Sequence, residues 1–206
     1  MPLITCEMRW FFDGHLPAEV AGWLERGPAA PAWREDPYLI LPGAVDMGIK
    51  RREGRLEIKG RTAVLGVHTV GPEIQGVAER WCKWSYHGPA IESRFRGCFQ
   101  VHDTVVVAKC RRQRHFLLAQ GGQAQESARR DLARRGFSVE ITRIRLGAAG
   151  DDSHWSLGIE AAPDDAAMLA DLLRAMPEVL RDFPMALPRS RSMSYPEWLA
   201  QLEPDA

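Results

Sequence analysis

Apolar and polar residues alternate with a period of two along much of the chain. In residues 3–12, Ile4, Cys6, Met8, Trp10 and Phe12 fall on one side, and Thr5, Glu7, Arg9 and Phe11 on the other. This is the pattern of a strand with one face in the core. The same period is clearest in residues 47–61, MGIKRREGRLEIKGR. Met47 and Ile49 oppose Lys50 and Arg52. Beyond Glu53-Gly54, Leu56 and Ile58 oppose Glu57, Lys59 and Arg61. Two alternating runs around a Gly-containing turn predict a β-hairpin with one apolar and one charged face. On a lone hairpin, a solvated outer face would explain the charges equally well.

Further strands are predicted at 37–41, 77–87, 103–118, 137–146 and 155–161, with the glycine-punctuated stretch 64–76 read as a connection. Helical spacing predicts four helices. The first, 16–26, has Pro17 in its first turn and a stripe of Val20, Trp23 and Leu24. The second spans 123–135 and is capped by Gly136. The third opens at Pro163 and carries Met168, Leu169, Leu172, Leu173 and Met176, with Pro177 ending or bending it. The fourth, 194–202, turns Trp198, Leu199 and Leu202 inward. Residues 27–31 read as a loop and Asp151-Asp152 as a turn. No repeat, low-complexity tract or long linker interrupts the chain, so a single α+β domain over 1–206 is expected.

The polar positions share a theme. They hold Glu7 and Arg9, Lys50 and Arg52, Glu57 and Lys59, Lys83, Lys109 and Arg111, Glu140, and Glu160. The helices need apolar surface to pack on, which turns the apolar strand faces outward. The charged faces must then look at one another, and a sheet can do that only by closing around water and ligand. A closed antiparallel barrel with a polar lumen follows. Its cations outnumber its acids, a composition suited to a polyanion held by arginine forks and lysine point charges. The carboxylates could hold a hard divalent cation such as Mg²⁺.

The bulk numbers confine this charge effect to the lumen. Lysine plus arginine and aspartate plus glutamate both total 27, so no overall field points to nucleic acid or a membrane surface. Cys6, Cys82, Cys98 and Cys110 lack any CxxC spacing, which argues against a zinc site and a disulfide framework. With no basic leader and no long apolar run, a cytoplasmic protein is expected. Some charges have plainer readings. Lys83 could snorkel over Trp81 and Trp84. Arg112 and Arg114 read as solvent-facing, as do Arg129, Arg130, Arg134 and Arg135 on the predicted helix. The six histidines show no ligand spacing, though His115 lies beside the basic strand. No Walker loop or GxSxG motif is present.

The ordered set of motifs resembles the CYTH, or triphosphate tunnel metalloenzyme, superfamily. The resemblance rests on Thr5-Cys6-Glu7-Met8-Arg9, Gly48-Ile49-Lys50-Arg51-Arg52, Leu56-Glu57-Ile58-Lys59, Lys109-Cys110-Arg111, Val139-Glu140-Ile141, Ile159-Glu160, and Ser194-Tyr195 with Glu197-Trp198-Leu199. It implies an eight-stranded antiparallel tunnel and Mg²⁺- or Mn²⁺-dependent chemistry on triphosphate-bearing substrates. Arg9, Lys50, Arg52, Glu57, Lys59, Lys83, Lys109 and Arg111 would then contact substrate, with Glu7, Lys59 and Arg111 catalytic. Glu7, Glu140 and Glu160 would hold the metal. One position departs from the family. Its first strand reads Glu-x-Glu-x-Lys, where this chain has Thr5, Glu7 and Arg9, so one expected carboxylate ligand is missing. The expected function is hydrolysis of inorganic or a small organic triphosphate. The alternatives are a polyphosphate- or nucleotide-binding protein without turnover and, third, a nucleotidyl cyclase.

Overall fold

The computed structural model describes residues 2–24, 32–101, 104–147 and 153–202. Its strands are β1 (Leu3–Asp13), β2 (Arg34–Leu39), β3 (Met47–Arg52), β4 (Arg55–Thr69), β5 (Gln75–His87), β6 (Thr104–Leu118), β7 (Ala124–Ser127), β8 (Gly136–Leu146) and β9 (His154–Ala162). They pair antiparallel in the order β2-β3-β4-β5-β1-β9-β8-β6, and β6 returns to β2. Eight strands therefore close a barrel, and β7 folds back as a hairpin on the far half of β6. Five helices accompany them: α1 (Ala18–Trp23), α2 (Pro89–Arg96), α3 (Cys98–Val101), α4 (Met168–Val179) and α5 (Tyr195–Ala200).

The barrel is apolar outside and polar inside, as the alternation requires. Cys6, Met8, Trp10 and Phe12 of β1 face outward with Val139 and Ile141 of β8 and Trp155, Leu157 and Ile159 of β9. Met168, Leu172 and Met176 of α4 complete this core. Each such side chain contributes about 1.5–3 kcal/mol on burial, so the helix is held on by its stripe. One end of the lumen is filled instead of polar. There the inward positions become Phe11, Tyr38, Val107 and Ile144, and Trp198 and Leu199 of α5 pack among them. Phe11 stacks on Trp198 with ring centroids 4.7 Å apart. Ser194 caps α5, accepting a hydrogen bond from the Glu197 amide at 3.3 Å.

The predicted hairpin is present, with Glu53 and Gly54 both at positive φ between β3 and β4. Other boundaries differ. Residues 64–76 are not a connection: β4 continues to Thr69 and pairs with β5 to its end. Register shifts at Arg61/Ala63 and Val64/Gly66 break the parity of the apolar residues and hide the strand. The predicted helix over 123–135 is β7 followed by turns. Its large apolar residue, Leu132, is exposed, so no stripe supports a helix. Its charges are used in tertiary contacts: Glu126 accepts two bonds from Arg114, and Arg135 pairs with Asp165 and Asp171. Gly136 begins β8 rather than capping a helix, and a Cβ there would collide with the Phe116 carbonyl oxygen. The helix expected from Pro163 begins at Met168, because the Asp165 carboxylate first accepts the Ala167 amide in a turn. Pro177 lies within α4, not at its end. The first helix is shorter than predicted, and the loop 27–31 and the Asp151-Asp152 turn lie outside the described residues. Helices α2 and α3, between β5 and β6, have no counterpart in the sequence reading.

Candidate functional site

The lumen holds a cavity of about 400 Å³, lined by nine cationic and five acidic side chains. Every site residue expected from sequence lines it: Glu7, Arg9, Lys50, Arg52, Glu57, Lys59, Lys83, Lys109, Arg111, Glu140 and Glu160. They come from seven strands, brought together because alternate residues of a closed barrel all point to its axis.

Three clusters organise the charge. In the first, Arg9 of β1 reaches across β9 to Glu140 of β8 at 2.5 Å. Gly158 of β9 permits this, since a Cβ there would lie 2.5 Å from Nη2 of Arg9. Arg111 and Gln113 also donate to Glu140, at 3.2 and 3.1 Å. Burial works to raise the Glu140 pKa, but Arg9 and Arg111 outweigh it and hold the carboxyl well below its ordinary range. In the second, Lys59 Nζ lies 2.5 and 2.6 Å from the two oxygens of Glu7, whose carboxylate also accepts the Thr5 hydroxyl. Glu7 is register partner of Glu79 on one side and Glu160 on the other. Lys59 is 4.0 Å from Glu160. Enclosure in the lumen, and then the charge of Glu7, raise the Glu160 pKa. In the third, buried Asp36 accepts Arg52 at 3.1 and 2.7 Å and Lys50 at 3.0 Å, while Glu57 takes Lys83 at 3.0 Å and Lys50 at 3.4 Å.

Lys109 is different in kind. Its Nζ donates to the Tyr38 hydroxyl at 2.8 Å and lies 3.5 Å from the centre of the Tyr195 ring. Burial, and then the positive charge of Lys50, push its pKa well below the lysine range. Burial likewise lowers Lys50 to about 8.

Several lining residues lie beyond the sequence reading. Tyr38, which lines the cavity, and Asp36, buried beneath its cations, escape it because their outward neighbours on β2, Glu35 and Pro37, show no apolar alternation. Arg130, expected on a solvated helix face, lines the cavity and donates to the carbonyls of Gly136 and Ala162. His115 also lines it, its Nδ1 2.9 Å from the Ser138 hydroxyl. Lys83 faces the lumen through Glu57 rather than snorkelling over the tryptophans.

Among the described residues no three His, Cys, Asp or Glu side chains converge closely enough to hold a metal ion. Glu140 in particular is committed to two guanidinium groups. Glu7 and Glu160, adjacent across β1 and β9, make a narrower donor set. Both oxygens of Glu7 are themselves held by Lys59, so an ion at this pair would have to take the place of that ammonium.

No protein-family model matches the chain, and no curated protein matches it in sequence. Solved structures do. The PH1819 protein from Pyrococcus horikoshii OT3 is 13% identical with a TM-score of 0.50, over 97% of this chain and 99% of that one. A conserved hypothetical protein from Pyrococcus furiosus (13% identical, TM-score 0.42) matches over 93% of this chain and 98% of its own. The PH1012 protein from Pyrococcus horikoshii OT3 (15% identical, TM-score 0.42) does so over 96% and 98%. The first likeness shows a common fold over the whole chain. Among the described residues, no helix is long and apolar enough to cross a membrane.

Proposed function

We propose that the lumen binds a linear triphosphate, inorganic or borne on a small organic group, and hydrolyses it as triphosphate tunnel enzymes do. The observation that carries this reading is the convergence of Arg9, Lys59, Lys109 and Arg111 on one enclosed cavity with an excess of cations. Arg9 and Arg111 present guanidinium forks, the geometry suited to phosphate oxygens. Lys59 and Arg111 would stabilise charge that builds on the transferred phosphoryl group. Lys109, whose charge an adjacent phosphate would favour, would contribute a further positive point charge to the phosphates. Glu7 and Glu160 are the residues that would hold Mg²⁺ or Mn²⁺, which when bound neutralises phosphate charge.

The test is phosphate release from tripolyphosphate, nucleoside triphosphates and thiamine triphosphate, with Mg²⁺, Mn²⁺ or a chelator, alongside calorimetric binding. Lys59→Ala and Arg111→Ala should each weaken tripolyphosphate binding by about 1.5–3 kcal/mol, the scale of a hydrogen bond to a charged group. Arg181→Ala, on an exposed turn, should leave it unchanged. Equal losses in all three would mean diffuse attraction and no site.

A second reading, binding without turnover, is favoured by Thr5, which donates to Glu7 where the family has a carboxylate. Tight binding with no phosphate release at any metal concentration would establish it. Activity gained by Thr5→Glu from a silent parent would then show that the lumen lacks only its ion.

A further inference from the structure

One row of the lumen wall places Glu7 of β1, Glu160 of β9, Ser138 of β8 and His115 of β6 side by side on adjacent strands. The two carboxylates are discussed above. The other two residues form a pair that the phosphate reading leaves without a task. His115 Nδ1 lies 2.9 Å from the Ser138 hydroxyl, and both residues line the cavity.

The other inward hydroxyls meet groups that cannot take a proton from them. Thr5 donates to Glu7, but Lys59 already holds both oxygens of that carboxylate. Ser156 accepts from Arg9, Tyr38 accepts from Lys109, and Thr142 has no partner. Of these hydroxyls, only that of Ser138 faces a nitrogen base. Burial, and then the charges of Arg130 and Arg111, lower the His115 pKa, with Glu140 working the other way. The imidazole is therefore neutral near pH 7, and its Nδ1 is able to accept.

Along β8 the pair sits between two guanidinium groups. Two residues beyond Ser138, Glu140 is held by Arg111 at 3.2 Å. Two residues before it, the Gly136 carbonyl accepts from Arg130 at 2.9 Å. A Cβ on Gly136 would lie 3.0 Å from Arg130 Nη1, so glycine leaves that group room. Backbone carbonyls hold Arg130, which orients it without neutralising its charge. A hydroxyl set against a base and flanked by two arginines is a nucleophile beside a place for a phosphoryl group.

We infer that Ser138 is a phosphoryl acceptor and His115 its base, so that triphosphate is cleaved through a phosphoserine. The inference rests on the phosphate reading above and deepens it. The Ser138 oxygen bonds to the terminal phosphorus as the bridging P–O bond breaks, and that bonding pair leaves with the diphosphate. The hydroxyl proton passes to His115 Nδ1. Water then attacks the phosphorus and departs with it as dihydrogen phosphate, keeping both its hydrogens. Ser138 leaves with the P–O pair and recovers its proton from His115. Arg111 and Arg130 hold the phosphoryl group in both steps.

The test is to mix the full chain with tripolyphosphate and Mg²⁺, quench in acid from milliseconds to minutes, and locate phosphate by mass spectrometry. One phosphoryl group should appear on Ser138 and be absent from Ser138→Ala. Ser138→Ala and His115→Ala should each lower phosphate release by about 100-fold or more, the scale of one proton-transfer contribution. Tripolyphosphate should still bind Ser138→Ala within about threefold of the parent, which shows that the variant is folded. No phosphoserine at any quench time, a label that survives Ser138→Ala, or parental turnover in that variant each overturns the inference. Because the label is sought on the unaltered chain, the result does not depend on either variant. A phosphoserine that forms and persists upholds the acceptor and overturns the water step. Tripolyphosphate binding with neither label nor release overturns the inference and leaves the phosphate site standing. If tripolyphosphate does not bind, the phosphate reading itself fails.

Discussion

Gly158 is where one added methyl group acts on the charge arrangement of the lumen. Its backbone lies outside the left-handed region, so Gly158→Ala should keep the strand while pushing Arg9 away from Glu140. Glu140 retains Arg111 and Gln113, so the expected loss is about 1–3 kcal/mol, read by denaturant unfolding. An unchanged midpoint would mean that Arg9 reaches Glu140 by another path. Lys50 supplies a second prediction at this scale. Burial, and then Arg52, lower it to about 8. Below that pH the folded chain carries the charge, and above it the charge is lost. In the unfolded chain the lysine keeps its proton to higher pH, so Lys50 adds stability as pH rises through this window. Affinity for a polyanion moves the opposite way and should fall from about pH 7 to pH 9. Binding near pH 8 should take up protons, because an anion beside Lys50 and Lys109 restores their charge. Calorimetry in buffers of different ionisation enthalpy detects that uptake. Zero uptake would mean that neither lysine touches the ligand.

At the scale of elements, the hairpin of β3 and β4 depends on its turn, where Gly54 has φ 73°. Gly54→Ala should cost about 1 kcal/mol, because alanine is strained in the left-handed region. A neutral result would place the turn in another conformation. Most cation-bearing strands are legible in the sequence because lumen residues alternate with outward apolar ones, as Lys59 does with Ile58 and Arg9 with Met8. That rule fails where parity slips, as at the bulges of β4 near Ala63 and Gly66. It fails on β2, where Asp36 is buried by contacts with cations from other strands rather than by local pattern. It also fails in 123–135. There, local composition resembles a helix, while long-range pairs such as Arg135 with Asp171 set the backbone. The common reason is that helix and strand periodicity are local signals, whereas bulges and buried ion pairs are determined by partners far along the chain.

For the whole molecule, α4 lies across the outer wall, and Leu172 at its centre is fully buried. Leu172→Ala should cost about 2–5 kcal/mol by leaving a cavity. Since α5, not α4, seals the lumen, tripolyphosphate affinity of the folded fraction should survive the change. A large affinity loss at unchanged stability would link α4 to the site. The carboxylates that neutralise the lumen cations have a consequence of another sort. Glu7, Asp36, Glu57 and Glu140 are counter-ions tethered to the chain, so the empty barrel behaves like an ion exchanger already loaded with its own covalently attached salt. On the proposed reading, an incoming polyanion would displace these groups as well as mobile ions. Fewer mobile ions would then leave than from an open surface with as many cations, and the binding would be less sensitive to salt. A singly charged ion can unseat none of the tethered groups profitably, whereas a chain of linked phosphates displaces several at once. If the lumen binds phosphate chains as proposed, it would discriminate by valence without any steric gate.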